Sequence, residues 1–183
     1  AGTTHTCGIS QAGAVLCWGD SAVVAAHFDE LGRALPDTAL AGDRWQSVSA
    51  GRDFSCVISH AGTVECFGAN SYMEDTVPPP GAWHVVGSGS SHACAVLAED
   101  GSVACWGHNP DGRATPPPLT GITHVALGSY HTCAMRLHGS ITCFGNDAGG
   151  RVAGTAHGGA AVGGVVFTHS IAGGFSSVCA ATE

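Results

Sequence analysis

The sequence predicts an all-β fold assembled from repeated units of about 40 residues. A cysteine-anchored phrase recurs along the whole chain, as AGTTHTC (1–7), AGRDFSC (50–56), SGSSHAC (88–94), LGSYHTC (127–133) and GGFSSVC (173–179). Each holds Gly-x4-Cys: Gly2 with Cys7, Gly51 with Cys56, Gly89 with Cys94, Gly128 with Cys133 and Gly174 with Cys179. Four of the five run on to a second cysteine followed by an aromatic residue and glycine, at 17–19, 66–68, 105–107 and 143–145. Between these marks lie short Val- and Ile-rich runs punctuated by Gly and Pro, and no segment sustains a 3.6-residue apolar period.

A first strand is expected leading into each recurrent glycine, over 47–51, 84–89, 123–128 and 168–173. A hairpin then follows between the two cysteines. Setting Cys7 against Cys17 pairs Ile9 with Val15 and leaves Gln11-Ala12-Gly13 as the loop. Cys56 against Cys66 pairs Ile58 with Val64 around His60-Ala61-Gly62, and Cys133 against Cys143 pairs Met135 with Ile141 around Leu137-His138-Gly139. A three-residue loop ending in glycine is the signature of a type I turn closed by a left-handed residue in a bulge. The third hairpin has one residue more, yet Val96 still faces Val103, so the insertion falls in Ala98-Glu99-Asp100-Gly101. Register therefore survives, whereas a one-residue slip would turn every side chain to the wrong face. The hairpin is expected to form the inner pair of strands of its unit.

Opposed residues of an antiparallel ladder stand close enough for a disulfide. Four cross-strand bonds are expected, Cys7–Cys17, Cys56–Cys66, Cys94–Cys105 and Cys133–Cys143, each closing a loop of about ten residues. The alternative is free, buried thiols at repeat positions, as in a reducing compartment. The closely spaced C-x2-4-C knuckles of a structural zinc site are absent from the sequence. Cys179 is left unpaired.

Six basic residues, all arginine, stand against 14 acidic ones, giving a net charge of -8 with no lysine. That balance argues against nucleic acid as a partner, because non-specific affinity for it comes from Lys and Arg. Apolar runs fall short of the ~20 residues a spanning helix needs, so no membrane span is expected in this segment. The carboxylate pairs Asp29/Glu30, Glu74/Asp75 and Glu99/Asp100 read as solvated loop charge, and no nucleophile, base and oxyanion set converges. No enzyme activity, cofactor or metal is expected.

Histidines 5, 92 and 131 precede a first cysteine by two residues, where Phe54 and Ser177 stand in the other units. A place that accepts phenylalanine reads as structural, a half-buried imidazole bonded to backbone. Trp18, Phe67, Trp106 and Phe144 also recur at one place and read as packing between units.

The stretches GSSHACAV with DGSVACWGHN, and GSYHTCAM with HGSITCFGND, resemble regulator of chromosome condensation type repeats. That pattern is G-x-x-H-[ST]-x-A-L followed by D-G-x-[VL]-x-x-W-G-x-N. The resemblance covers nearly the whole chain and implies a β-propeller, usually of seven blades. Four blades and part of a fifth would be present, with units approximately 1–42, 43–81, 82–121, 122–166 and a partial 167–183. The array would then be part of a larger ring or be completed by a neighbour. The cysteine pairs depart from the nuclear guanine-exchange prototype. They are similar to the extracellular branch, including Crinkly-type receptor kinase ectodomains and secreted microbial repeat proteins, which implies a secreted or cell-surface protein.

Variation gathers between units, where a rigid scaffold carries its binding surface. Two connections hold triple prolines, Pro78, Pro79, Pro80 and Pro116, Pro117, Pro118, which favour extended segments and in a secreted protein are candidates for hydroxylation and O-glycosylation. No Asn-x-Ser/Thr sequon occurs. The functional expectation is a non-enzymatic extracellular structural or adhesion protein, a subunit of a surface assembly or fibre. The alternative is a soluble module binding protein or glycan, such as a receptor ectodomain or secreted enzyme inhibitor. The expected partners are protein or glycan, including copies of itself.

Overall fold

The protein, described as a computed structural model over residues 2–11, 13–19, 45–68, 81–146, 171–173 and 178–180, contains thirteen strands and no helix among those residues. They are β1 (His5–Ile9), β2 (Val15–Gly19), β3 (Trp45–Ala50), β4 (Phe54–Ser59), β5 (Val64–Gly68), β6 (Trp83–Ser88) and β7 (His92–Leu97), then β8 (Val103–Gly107), β9 (Ile122–Leu127), β10 (His131–Arg136), β11 (Ile141–Gly145), β12 (Ile171–Gly173) and β13 (Val178–Ala180). Three antiparallel sheets have three strands each, in the orders β3-β4-β5, β6-β7-β8 and β9-β10-β11. The pairs β1-β2 and β12-β13 form two further sheets. Each sheet is one blade of a β-propeller.

Cysteine faces cysteine in all four hairpins: Cys7↔Cys17, Cys56↔Cys66, Cys94↔Cys105 and Cys133↔Cys143. A disulfide joins each of these pairs, with Cα atoms 4.0–4.1 Å apart. The turn glycines Gly13, Gly62, Gly101 and Gly139 have φ of 82, 83, 69 and 83°, the left-handed conformation that glycine adopts without a Cβ penalty. In the longer third hairpin, Val96 and Val103 still pair, and Asp100 accepts the Ser102 backbone N–H at 2.8 Å within the turn.

Leading strands β3, β6, β9 and β12 lie against one another in succession, so the blades converge along them. This corrects the expectation that the hairpin is the inner pair: the hairpin forms the middle and outer strands, because the leading strand pairs only with the first hairpin strand. The leading strands also start earlier than expected, at Trp45, Trp83 and Ile122. Each is bulged near its start, where the register with the next strand shifts. A bulge re-aims the residue beside it, and all three of these first residues are buried between blades.

The core is a series of inter-blade layers rather than one centre. Val15 and Cys17 of the first sheet share a layer with Trp45, Val57 and Phe67 of the second. Phe54, Ile58 and Val64 meet Trp83, Val86, Ala93 and Trp106 of the third, and Val96 meets Ile122, Ala134 and Phe144 of the fourth. Phe67, Trp106 and Phe144 therefore each face the preceding blade. Trp18, at the same repeat place on β2, is 57% exposed, and its neighbour Leu16 is 36% exposed, since no described blade stands on that side.

The recurrent glycine has a steric cause. A Cβ on Gly51 would stand 2.5 Å from the Gly89 carbonyl oxygen, and one on Gly89 would stand 2.6 Å from that of Gly128. Backbones of successive blades touch here: the Thr3 N–H donates to the Gly51 carbonyl at 3.3 Å and the Arg52 N–H to that of Gly89 at 3.2 Å. At the opposite end, turn glycines tie blade to blade, with Trp83 N–H donating to Gly62 O at 3.1 Å and Ile122 N–H to Gly101 O at 3.1 Å.

Candidate binding site

The two residues after each recurrent glycine lie at the end of the blades where those backbones converge. Their side chains differ from blade to blade between the recurrent Gly and Cys: Arg52-Asp53, Ser90-Ser91 and Ser129-Tyr130 in three successive blades. Together with His108 and Arg113, which follow the third hairpin, Arg52, Ser90, Ser91, Ser129 and Tyr130 line a cavity of about 200 Å³. The lining is rich in hydroxyl and cationic groups, a surface for polar or anionic chemistry rather than for an apolar ligand.

Arg113 sets the shape of this cavity. Its side chain is only 3% exposed, its Nη1 donates to the Ser129 carbonyl at 2.6 Å, and its Nη2 pairs with Asp111. The guanidinium lies over the Tyr130 ring, 4.9 Å from the centroid, in reach of a cation–π attraction. The Arg113 carbonyl accepts the Thr132 hydroxyl at 2.8 Å. Asn109 holds the turn that delivers Arg113, accepting the Ala114 N–H at 2.9 Å and donating to Thr115 Oγ1 at 2.8 Å. Arg52, which also lines the cavity, is half exposed and pairs with Asp53 at 2.7 Å. Ser90 Oγ donates to Ser129 Oγ at 2.7 Å and links the two blades within the lining. Arg52 is thus the cation most open to a ligand, and Arg113 is held in the wall.

Histidines 5, 92 and 131 are buried beneath this end. Contrary to the expected backbone bonding, His5 and His92 bond across the blade boundary to side chains: His5 Nε2 with Ser55 Oγ at 2.6 Å and His92 Nε2 with Thr132 Oγ1 at 2.8 Å. Thr132 gives its one hydroxyl hydrogen to Arg113 O, so His92 Nε2 is the donor in that bond. Burial pushes the His92 imidazole down to about 3, and the charges of Arg113, His131 and His108 push the same way. Burial also lowers His5, against a smaller opposite pull from Asp53. The His5 and His92 rings are neutral structural parts.

Of the proline runs, Pro116, Pro117 and Pro118 lie in the irregular connection after the third blade, with Pro117 and Pro118 exposed. Pro78, Pro79 and Pro80 lie outside the described residues, as do Asp29, Glu30, Glu74 and Asp75. Glu99 and Asp100 occupy an exposed hairpin turn, away from the cavity. Cys179 lies in β13 at a place opposite Ala172. Among the described residues no group of His, Cys, Asp or Glu is gathered as a metal site. Sequence reasoning missed the cavity residues; the signal available was the pair of places directly after the recurrent glycine, which changes from blade to blade.

Residues 83–113 and 122–151 match the Regulator of chromosome condensation (RCC1) repeat model. No curated protein sequence matches the chain. Among solved structures, the chain is similar to the entire ectodomain of the Physcomitrella patens receptor kinase CR4, with 23% identity and a TM-score of 0.73, over 100% of this chain and 48% of that one. It is similar to the CRINKLY WD40 ectodomain of the Arabidopsis thaliana receptor kinase ACR4 (23% identity, TM-score 0.68, 100% and 57%). It is also similar to Prp20p from Saccharomyces cerevisiae (20% identity, TM-score 0.76, 100% and 54%), a structure described with its binding to Gsp1p and histones. The chain spans about half the length of these proteins. The fold is an RCC1-like β-propeller array with a disulfide across each of its first four hairpins.

Proposed function

We propose that this RCC1-like array is a non-enzymatic, extracellular binding module that takes a protein partner at the blade end bearing Arg52, Ser90, Ser91, His108 and Tyr130. The observation that carries the reading is the variable pair after each recurrent glycine, brought together from three blades on a scaffold stapled blade by blade. Rigid elements beneath a variable polar rim are what a recognition surface needs. Half-exposed Arg52 and the Tyr130 ring are of the residue types that anchor interfaces. The extracellular part of the reading is supported by the disulfides, which persist in oxidising compartments, and by the receptor ectodomain folds the chain is similar to. A secreted glycan is the second ligand class for the same polar surface.

Binding of the wild-type chain to arrays of secreted proteins and glycans, compared with Arg52→Ala and Tyr130→Ala, tests the site. Loss of a specific signal in both variants, with unchanged circular dichroism, supports it, and undiminished binding in both sinks it. The compartment is tested by alkylating the natural protein without reductant: eight blocked cysteines support an extracellular protein and eight reactive ones overturn it.

A structural or adhesion role is a second reading, favoured by the exposed Leu16 and Trp18 on the face of β1-β2. Self-association through that face would make the chain a subunit of an assembly. Sedimentation of wild-type and Leu16→Ser/Trp18→Ser chains at high concentration decides it: oligomers lost in the variant support the role, and a monomer in both excludes it.

A further inference from the structure

Successive blades meet through one pair of repeat places. The first is the ring two residues before a blade's first cysteine; the second is the residue just before the first cysteine of the following blade. At the first boundary His5 meets Ser55, and at the third His92 meets Thr132, each through Nε2 and a hydroxyl. At the second boundary the ring is Phe54 and the counterpart is Ala93, both in one buried apolar cluster. Ser55, Ala93 and Thr132 are all 0% exposed. At these three boundaries the two members change together, imidazole with hydroxyl and phenyl with methyl; at the fourth, the sequence sets His131 against Val178. The ring is pressed into place from below by the recurrent glycine, since a Cβ on Gly51 would stand 2.7 Å from Phe54 Cε1 and one on Gly89 2.6 Å from His92 Cε1.

We propose that this pair is the specificity key of the blade boundary, the contact by which one blade selects the blade that follows it. Hydrogen-bond chemistry gives the selection. An imidazole against Ala93 leaves a buried ring nitrogen without a partner, and a phenyl against Ser55 leaves a buried hydroxyl without its acceptor or donor. A matched pair of either kind fills the boundary, while a mixed pair penalises it. Selection by penalty on the wrong partner is how specific interfaces discriminate. The layers around the key, Val15 with Val57 or Val96 with Ala134, are apolar and carry no hydrogen-bond requirement of their own. This inference stands apart from the proposed ligand site.

The test is an exchange of keys in the full chain. Phe54→His and Ala93→Ser alone are each expected to lower the midpoint of thermal unfolding by about 2–8 °C, and the double variant to recover at least half of the summed loss. The reciprocal exchange at the first boundary, His5→Phe with Ser55→Ala, is expected to behave in the same way and serves if a Phe54 variant fails to fold. Thr6→Ala is the internal control: Thr6 stands at the counterpart place on β1, where no described blade presents a ring, and is expected to leave the midpoint within about 1 °C. Losses that simply add in both double variants overturn the key.

Discussion

His92 Nε2 and Thr132 Oγ1 lie 2.8 Å apart, across the boundary between two blades and 40 residues apart in the chain. The bond makes a titratable ring part of the cohesion between units, and the ring is held neutral by burial. Its folded affinity for a proton lies below that of the unfolded chain, near 6.5. The stability it contributes is therefore present above about pH 6.5 and is lost as the pH falls toward 3, at up to about 1.4 kcal/mol per pH unit. Replacing the pair by His92→Phe/Thr132→Ala is expected to flatten that part of the curve between pH 6.5 and 4. Urea unfolding at a series of pH values measures the slope, and an unchanged slope contradicts the assignment.

Two glycines separate backbone freedom from close approach. Gly112 has φ +74 and nothing within 4 Å of a built Cβ, so Gly112→Ala is expected to cost about 1 kcal/mol from backbone strain alone. Gly89 lies outside the left-handed region, yet a Cβ there collides with Gly128 O and the His92 ring. Gly89→Ala is expected to cost roughly 2–3 kcal/mol, the larger of the two. Chemical unfolding of both variants gives the order.

Trp18 and Trp106 share a repeat place and differ in surroundings, at 57% and 8% exposure. Trp106→Ala is expected to cost roughly 3–5 kcal/mol, as for a large buried aromatic residue. Trp18→Ala is expected to stay within about 1 kcal/mol. The paired unfolding curves check it.

Arg113 joins a buried carbonyl, a carboxylate and an aromatic face, and a lysine supplies neither the planar fork nor the stack. Arg113→Lys is expected to destabilise by about 2 kcal/mol and to reduce binding at the cavity, since Tyr130 loses its support. Arg113→Ala/Asp111→Ala is expected to cost less than the separate losses combined, because the two charges compensate each other. A double-mutant cycle read by chemical unfolding measures the coupling.

The hairpins were legible in the sequence because everything that defines them is local. Cysteine against cysteine, Ile58 against Val64 and a glycine at the loop end all lie within about a dozen residues, and period-two register admits one solution. What escaped was contact between units. That Trp45 and Trp83 turn toward the preceding blade depends on a bulge that no alternation pattern announces. That His92 bonds a hydroxyl rather than backbone depends on how blades stack, as does the gathering of Arg52, Ser91 and Tyr130. The exposed Trp18 and the buried Trp106 look alike in sequence, since only the neighbour on one side distinguishes them.

Each disulfide closes on itself within one hairpin, with sequence separations of 10, 10, 11 and 10 residues, and none joins one blade to another. Under tension the molecule is therefore a row of locked lengths coupled by non-covalent joints. Drawn from its two ends, it is expected to part at the boundaries while each hairpin withholds roughly 35 Å of extension, ten residues at their fully stretched span. Reductant would release those lengths, so force spectroscopy with and without it would show the same order of parting followed by longer steps. A row of blades built in this way sheds load without surrendering its units.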